Sequence, residues 1–82
     1  MITVLFFGRL RELLACQQLS LTIDDAINVT TLRQLLAAKG TQWQELLSAQ
    51  HTLVAVNQAM AQEQTAIAPG DEIAFFPPVT GG

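Results

Sequence analysis

Apolar residues near both ends of the chain predict two buried β-strands. Residues 2–7 form a continuous run rich in β-branched and aromatic residues, which is typical of a strand at the centre of a sheet. Near the other end, Ile73 and Phe75 fall on one face of a strand. The alternating residues Ala74 and Phe76 fall on the opposite face. We expect the first and last strands to pair in parallel, because both apolar runs then share the middle of the sheet.

Helical periodicity follows the first strand after Gly8. Three leucines have the i, i+3, i+4 spacing of a short helix, and they are Leu10, Leu13 and Leu14. A half-buried second strand is predicted next, because aliphatic residues there alternate with polar ones. Those aliphatic residues are Leu19, Leu21 and Ile23.

The longest predicted helix lies in the middle of the sequence. Asn28 is a favourable N-cap residue, and Lys39 followed by Gly40 marks the end of the helix. Its predicted apolar face consists of Val29, Leu32, Leu35 and Leu36. A second short helix follows, and its apolar residues at the same spacing are Trp43, Leu46 and Leu47.

The remaining sequence predicts strands joined by turns. Residues 53–56 read as a strand that ends in a tight turn at positions 57–58, and a short strand follows near Met60. Residues 69–71 have the Pro-Gly-Asp chemistry of another turn. Together the elements predict an α+β fold in which a mixed sheet packs on one main helix. This is the β-grasp arrangement of ubiquitin, with the domain in residues 1–76 and an extended tail in residues 77–82.

Composition adds that the predicted domain should carry an exposed apolar surface. The chain has 82 residues, of which 50% are apolar and 13% charged, and the charged share is about half the usual one. A domain of this size cannot bury so much apolar surface, so we expect a face that binds a partner. The net charge of −3 argues against nucleic acid as that partner.

Other features of the sequence favour a cytoplasmic location. Neither a signal-peptide pattern nor an apolar run of about 18 residues is present, which argues against secretion and a membrane partner. A single cysteine, Cys16, excludes an internal disulfide and any multi-cysteine metal site. His51 stands alone in a polar segment, and no metal-ligand spacing is found.

The last six residues are the part of the chain best suited to chemistry. Two prolines at positions 77 and 78 restrict φ and favour an extended backbone. Gly81 and Gly82 have no Cβ, so they could enter a channel too narrow for other residues. At roughly 3.3–3.6 Å per residue, this segment could reach about 20 Å into a partner. We therefore interpret it as a functional tail rather than a frayed terminus.

Five segments of the chain carry a specific resemblance to a known family. The ending, residues 70–82, reads GDEIAFFPPVTGG and is the most distinctive. The other matching segments are residues 1–7, 11–13, 32–34 and 55–58. Over its whole length the chain resembles the small, sulfur-carrying subunit of molybdopterin synthase (the MoaD family). Met60 departs from the family's leucine-like residue, but methionine is apolar and flexible enough to keep the contact.

The resemblance implies a sulfur carrier that catalyses nothing alone. A terminal carboxylate is ionised at neutral pH and is therefore a poor electrophile. An ATP-dependent adenylyltransferase would adenylate Gly82, and a sulfur donor would convert it into a thiocarboxylate. The large synthase subunit would use that sulfur to build molybdopterin from cyclic pyranopterin monophosphate, with two carriers on a dimer of large subunits. The chain itself would bind no cofactor, since the activating partner consumes the ATP.

The resemblance also implies which residues contact partners. In the tail they are Pro77, Pro78, Val79, Thr80 and Gly81. On the domain, Phe7, Met60 and Phe76 would surround the exit of the tail, although aromatic strand residues often pack in a core. Of the two aromatics, Phe76 is expected to be the more exposed, because it alternates with Phe75. Arg11 would pair with acidic groups of the activating enzyme, or it is a solvated charge beside Glu12.

Three alternative functions remain open at the sequence level. A related β-grasp carrier for thiamin thiazole synthesis would be loaded in the same way. A ubiquitin-like protein modifier would use the same adenylate but form an isopeptide bond with a lysine. An interaction module with a passive tail would need no activation.

Overall fold

The computed structural model describes residues 1–78 and places the first and last strands at the middle of one mixed sheet. The strands in this range are β1 (Ile2–Phe6), β2 (Gln18–Leu21), β3 (Ile27–Asn28), β4 (Leu53–Val56), β5 (Ala59–Met60), β6 (Ala66–Ile67) and β7 (Glu72–Phe76). The helices in the same range are α1 (Arg9–Leu13), α2 (Val29–Ala37) and α3 (Thr41–Leu46). The α+β fold predicted from the sequence is confirmed.

The main sheet has the strand order β2-β1-β7-β4-β5 within the described chain. β1 and β7 run parallel, with Val4 opposite Ile73 and Phe6 opposite Phe75. The pairs β1–β2, β4–β7 and β4–β5 are antiparallel. The predicted parallel pairing of the two apolar runs is therefore correct, and each of these strands has a neighbour on both sides.

Helix α2 packs on one face of this sheet. Val29, Leu32 and Leu36 are fully buried and belong to the same apolar core as Phe6 and Phe75. The helix begins where predicted, because the Asn28 side chain accepts a hydrogen bond from the Thr31 amide at 2.8 Å. This satisfies one of the backbone donors that a helix start leaves free.

The predicted apolar face of α2 is wrong at one position, because Leu35 is 48% exposed and Arg33 is buried instead. The Arg33 guanidinium donates through Nε and Nη2 to the two Glu63 carboxylate oxygens, both at 2.9 Å. Its Nη1 donates to the Leu47 carbonyl at 2.8 Å and to the Thr52 hydroxyl. A cation buried with this many acceptors is tolerated where an isolated one would not be.

A second, two-stranded sheet that the sequence did not predict supports the start of α2. β3 and β6 pair antiparallel, with Ile27 opposite Ile67 and Asn28 opposite Ala66. The Val29 amide donates to the Thr65 carbonyl at 3.2 Å, next to this pair. Each strand has two residues, too few for an alternating pattern to be visible in the sequence.

The hairpin between β4 and β5 turns where predicted. Asn57 and Gln58 have φ values of 51° and 70°, the combination that a two-residue type I′ turn requires. The Asn57 side chain accepts from the Glu72 amide at 3.0 Å and donates to Asp71 at 3.1 Å. Asp71 also accepts from the Ala68 amide at 2.8 Å. The pKa of the Asp71 carboxyl is lowered, first by this amide and then by Asn57.

Candidate functional site

We call the face of the main sheet opposite α2 the outer face. It is polar at Thr3, Gln18, Ser20 and Glu72 and apolar toward β5 and the end from which the chain leaves. Along β1 and β7, residues that point toward α2 are fully buried, whereas the alternate residues are only half-buried. The apolar residues of the outer face are Leu5, Phe7, Leu53, Ala55, Met60, Ala74 and Phe76. No described helix covers them, since the core of the described chain lies on the other side of the sheet.

One row of residues crosses the outer face from β1 to β5. Leu5 lies opposite Ala74, Ala74 opposite Ala55, and Ala55 opposite Met60. The two alanines at the middle have short side chains, so the surface of the sheet is recessed there and raised at Leu5 and Met60. Met60 is 65% exposed. Exposure of Met60, which the resemblance implied, is thus present in the structure.

A second row lies at the end of the sheet from which the chain leaves. Leu53 is opposite Phe76, and the Phe7 amide donates to the Phe75 carbonyl at 3.1 Å, which continues the β1–β7 ladder by one residue. Phe7 is 48% exposed and Leu53 37%, while Phe76 is half-buried. The expectation that Phe76 is the more exposed aromatic is therefore wrong. Phe76 is still within β7 and is paired with Leu53 of β4, but Phe7 lies beyond the end of β1.

The tail begins against the loop between β1 and α1. Gly8 has a φ of 61°, and a Cβ placed there would lie 3.4 Å from both Cγ and Cδ of Pro77. Pro77 thus lies against this loop, and the left-handed φ of Gly8, rather than a lack of space, favours glycine at this position. Pro77 is half-buried and Pro78 exposed. The other predicted tail residues, Val79, Thr80, Gly81 and Gly82, lie outside the described residues.

Helix α1 places basic side chains near the same end of the sheet. Arg9 and Arg11 are exposed, and within residues 1–78 the ion pair observed is that of Arg33 with Glu63. Arg11 is thus not paired with Glu12 in the described chain. Its exposure fits a solvated charge as well as a contact with an acidic group of a partner, so the role that the resemblance implied stays a prediction.

His51 and Cys16 each contact polar groups that are close to them in sequence. His51 is exposed, and its Nδ1 lies 2.8 Å from the Ser48 hydroxyl. Cys16 is half-buried, and its thiol contacts the Gln18 carbonyl at 3.5 Å. Among residues 1–78, no three potential ligand side chains come together as a metal site would need. The same residues include no helix long and apolar enough to cross a bilayer.

Leu5 and Leu53 are members of the outer face that sequence reasoning missed. Leu53 could have been found, because Val54 and Val56 alternate with it and valines in that position usually face a core. Its position opposite Phe76 depends on the register between β4 and β7, which no local pattern encodes. Leu5 could not be recognised, because the continuous apolar run of β1 predicts that both faces of the strand are buried.

A family model and curated relatives both match this chain over nearly its whole length. The ThiS family model matches residues 4–82. The molybdopterin synthase sulfur carrier subunit of Haemophilus influenzae is 45% identical over 82 residues, which is 100% of both chains.

Two solved structures are also similar. The complex of subunits 1 and 2 of molybdopterin-converting factor from Helicobacter pylori includes a chain that matches with a TM-score of 0.67 and 26% identity, covering 99% of this chain and 97% of that one. Small archaeal modifier protein 1 of Haloferax volcanii matches with a TM-score of 0.79 and 25% identity, covering 95% of this chain and 97% of that one.

The fold and the outer face define a ubiquitin-like β-grasp protein with an apolar surface beside its tail. The full-length identity narrows this class. The chain belongs to the ThiS family and, within it, to the molybdopterin synthase sulfur carrier subunits.

Proposed function

We propose that this chain is the sulfur carrier subunit of a molybdopterin synthase, and that its outer face docks on the large subunit. The observation that carries the proposal is the position of that face. Phe7, Phe76 and Leu53 surround the point at which Pro77 leaves the domain. A partner that covers these side chains would therefore also receive the tail.

The chemistry of the proposal is concentrated at Gly82, outside the described residues. An adenylyltransferase would use ATP to convert the terminal carboxylate into an acyl-adenylate, with release of pyrophosphate. Sulfide from a sulfur donor would displace AMP and leave a thiocarboxylate. The large subunit would hold that sulfur close to cyclic pyranopterin monophosphate, so that transfer becomes effectively intramolecular. A closed channel would also keep water from the loaded tail.

The domain contributes docking rather than catalysis in this scheme. Burying a Phe, Leu or Met side chain completely stabilises a complex by about 1.5–3 kcal/mol, and the outer face offers several such side chains that are partly exposed. Arg11 adds a charge that steers an acidic partner. A small apolar patch of this kind suits reversible binding, which a carrier needs if it is to return for another sulfur atom.

The direct test measures whether sulfur replaces an oxygen atom of the C-terminal carboxylate. The full chain is incubated with the adenylyltransferase, ATP and a sulfur donor, and the mass of its C-terminal peptide is measured. We expect sulfur to replace one oxygen only when ATP is present. The loaded chain, mixed with the large subunit and cyclic pyranopterin monophosphate, should then yield molybdopterin. An unloaded terminus, or a loaded carrier that yields no molybdopterin, would contradict the proposal.

A protein modifier is the second candidate, and the likeness to small archaeal modifier protein 1 favours it. Both functions share the adenylate, so the acceptor separates them. A modifier would give a ladder of lysine conjugates in the same incubation. A carrier for thiamin thiazole synthesis would instead be loaded with sulfur but fail to give molybdopterin with the large subunit.

A further inference from the structure

Met60 is the most exposed of the large apolar side chains that form the outer face. It is 65% exposed, compared with 48% for Phe7 and 37% for Leu53. It therefore has the largest fraction of its surface still to bury when a partner docks. Among these residues it is also the one whose side chain is readily oxidised.

The strand that carries Met60 leaves its thioether open to solvent. β5 has two residues and forms the edge of the main sheet in the described chain. The next residues of the row are Ala55 and Ala74, whose short side chains cannot cover a neighbouring methionine. They also carry no hydrogen-bond donor that could serve a more polar group at this position.

We propose that Met60 is an oxidation site through which peroxides control docking of the outer face; this rests on the proposed function. The thioether sulfur attacks one peroxide oxygen, the O–O bond breaks, and water leaves after proton transfer. The sulfur is oxidised to a sulfoxide and the peroxide is reduced. A methionine sulfoxide reductase, with a thiol as the reductant, reverses the change.

Oxidation weakens docking because it adds a strong hydrogen-bond acceptor to a surface that must lose its water. A buried acceptor without a partner is costly, and an apolar partner surface offers no donor to the sulfoxide. The side chain also stiffens and becomes polar, so it no longer adapts to the partner. We expect the dissociation constant for the large subunit to rise at least tenfold.

The chain is well suited to a clean test, because it has two methionines and one cysteine. A Cys16→Ala background removes the thiol, and Met1, which is 66% exposed, reports the oxidant dose in every sample. The protein is treated with hydrogen peroxide, the oxidation of each methionine is measured by peptide mass, and binding to the large subunit is measured by calorimetry. Met60→Leu and Met60→Gln are treated in parallel.

The proposal predicts a different response for each protein. In the Cys16→Ala protein that retains Met60, oxidation raises the dissociation constant for the large subunit at least tenfold. Treatment with the reductase restores the starting value. Met60→Leu keeps its own starting constant after the same treatment, although Met1 is oxidised. Met60→Gln binds weakly before any oxidant is added. Bound large subunit slows the oxidation of Met60 but leaves that of Met1 unaffected.

The outcomes also separate this inference from the function on which it rests. If the untreated protein with Met60 binds the large subunit and oxidation of Met60 leaves its affinity unchanged, the proposed control by oxidation is wrong. The proposed docking of the outer face on the large subunit would still hold. Equal weakening of Met60→Leu by peroxide would overturn it as well. If the untreated protein does not bind the large subunit, the proposed function fails, and the inference fails with it. Thermal melting of the oxidised protein shows whether a weaker complex reflects a loss of fold.

Discussion

Phe6 and Phe7 are adjacent in sequence but contribute to different parts of the protein. Phe6 is 1% exposed and packs edge to face on Trp43 with ring centroids 5.5 Å apart. Phe7 is 48% exposed at the end of β1. Strand alternation accounts for the difference, since successive side chains point to opposite faces of a sheet. Residue type alone could not separate the two, because both belong to one apolar run.

Phe7→Ala should weaken binding to the large subunit with little effect on the fold. Removing an aromatic anchor at the centre of an interface costs about 1–3 kcal/mol of binding free energy. A half-exposed side chain loses less packing, so the unfolding free energy should fall by less than about 1 kcal/mol. Calorimetry and chemical denaturation measure the two effects. Leu35→Ala is the matched control, because Leu35 is also 48% exposed but lies on α2. Equal losses of binding in both variants would contradict the assignment of the outer face.

The Asp71 carboxylate should make stability depend on pH. Its pKa is lowered in the folded state by the Ala68 amide and then by Asn57. The folded state therefore stabilises the ionised carboxylate more than the unfolded state does. That stabilisation is fully present above the unfolded pKa of about 3.9 and is lost as the pH falls through the folded pKa. Asp71→Asn should therefore melt at a lower temperature than the wild type near neutral pH. The gap should narrow below about pH 4, and a gap that stays constant in acid would count against these hydrogen bonds.

At the scale of elements, strong periodicity predicted the main helix and the parallel pairing of β1 with β7, while the contacts of the short and irregular segments were not visible. β1, β7 and the cap at Asn28 follow from local patterns. β3 and β6 do not, because each is a two-residue strand whose partner lies far along the chain. The burial of Arg33 was also missed. Its inward position depends on Glu63 and Thr52, which lie in connecting segments far from Arg33 in sequence.

Arg33→Met should test the buried network that joins these elements. The variant removes the guanidinium donor from Glu63, the Thr52 hydroxyl and the Leu47 carbonyl, and Glu63 keeps only the Thr30 hydroxyl at 3.4 Å. Removing one partner of a buried, hydrogen-bonded pair costs about 3–5 kcal/mol, and the cost here should be nearer 2–3 because the Glu63 side chain is 38% exposed. Chemical denaturation measures it. Lys39→Met is the control, since it removes an exposed cation that lies 5.4 Å over the Trp43 ring and should cost about 1 kcal/mol or less. Similar losses in both variants would show that the network adds little.

At the scale of the whole molecule, the fold and the apolar outer face could both be anticipated from the sequence. An excess of apolar residues in a small domain predicted that some surface would remain exposed. Periodicity and composition alone could not place that surface, because its position depends on how five strands are ordered and registered within the described chain. Only then do Met60, from the hairpin, and Phe7, which directly follows the first strand, fall on one face. The family resemblance alone named Phe7, Met60 and Phe76 as members of that surface.

Deletion of Gly82 should abolish sulfur transfer while leaving docking on the large subunit intact. The glycine has no side chain to bury, so the melting temperature and the dissociation constant for the large subunit should change little. Sulfur loading and molybdopterin formation should both be abolished, because the carboxylate would then lie one residue short of its position. Mass measurement of the terminus and an assay of molybdopterin test this. Full molybdopterin formation by the shortened chain would show that the tail is passive.

The strand that continues into Pro77 is held between two neighbours, with β1 parallel on one side and β4 antiparallel on the other. An enzyme that grips the end of the chain and pulls along β7 would strain the hydrogen bonds of both ladders at the same time, in shear, instead of opening them one after another. The domain should therefore resist mechanical extraction, and repeated cycles of insertion and withdrawal need not unravel it.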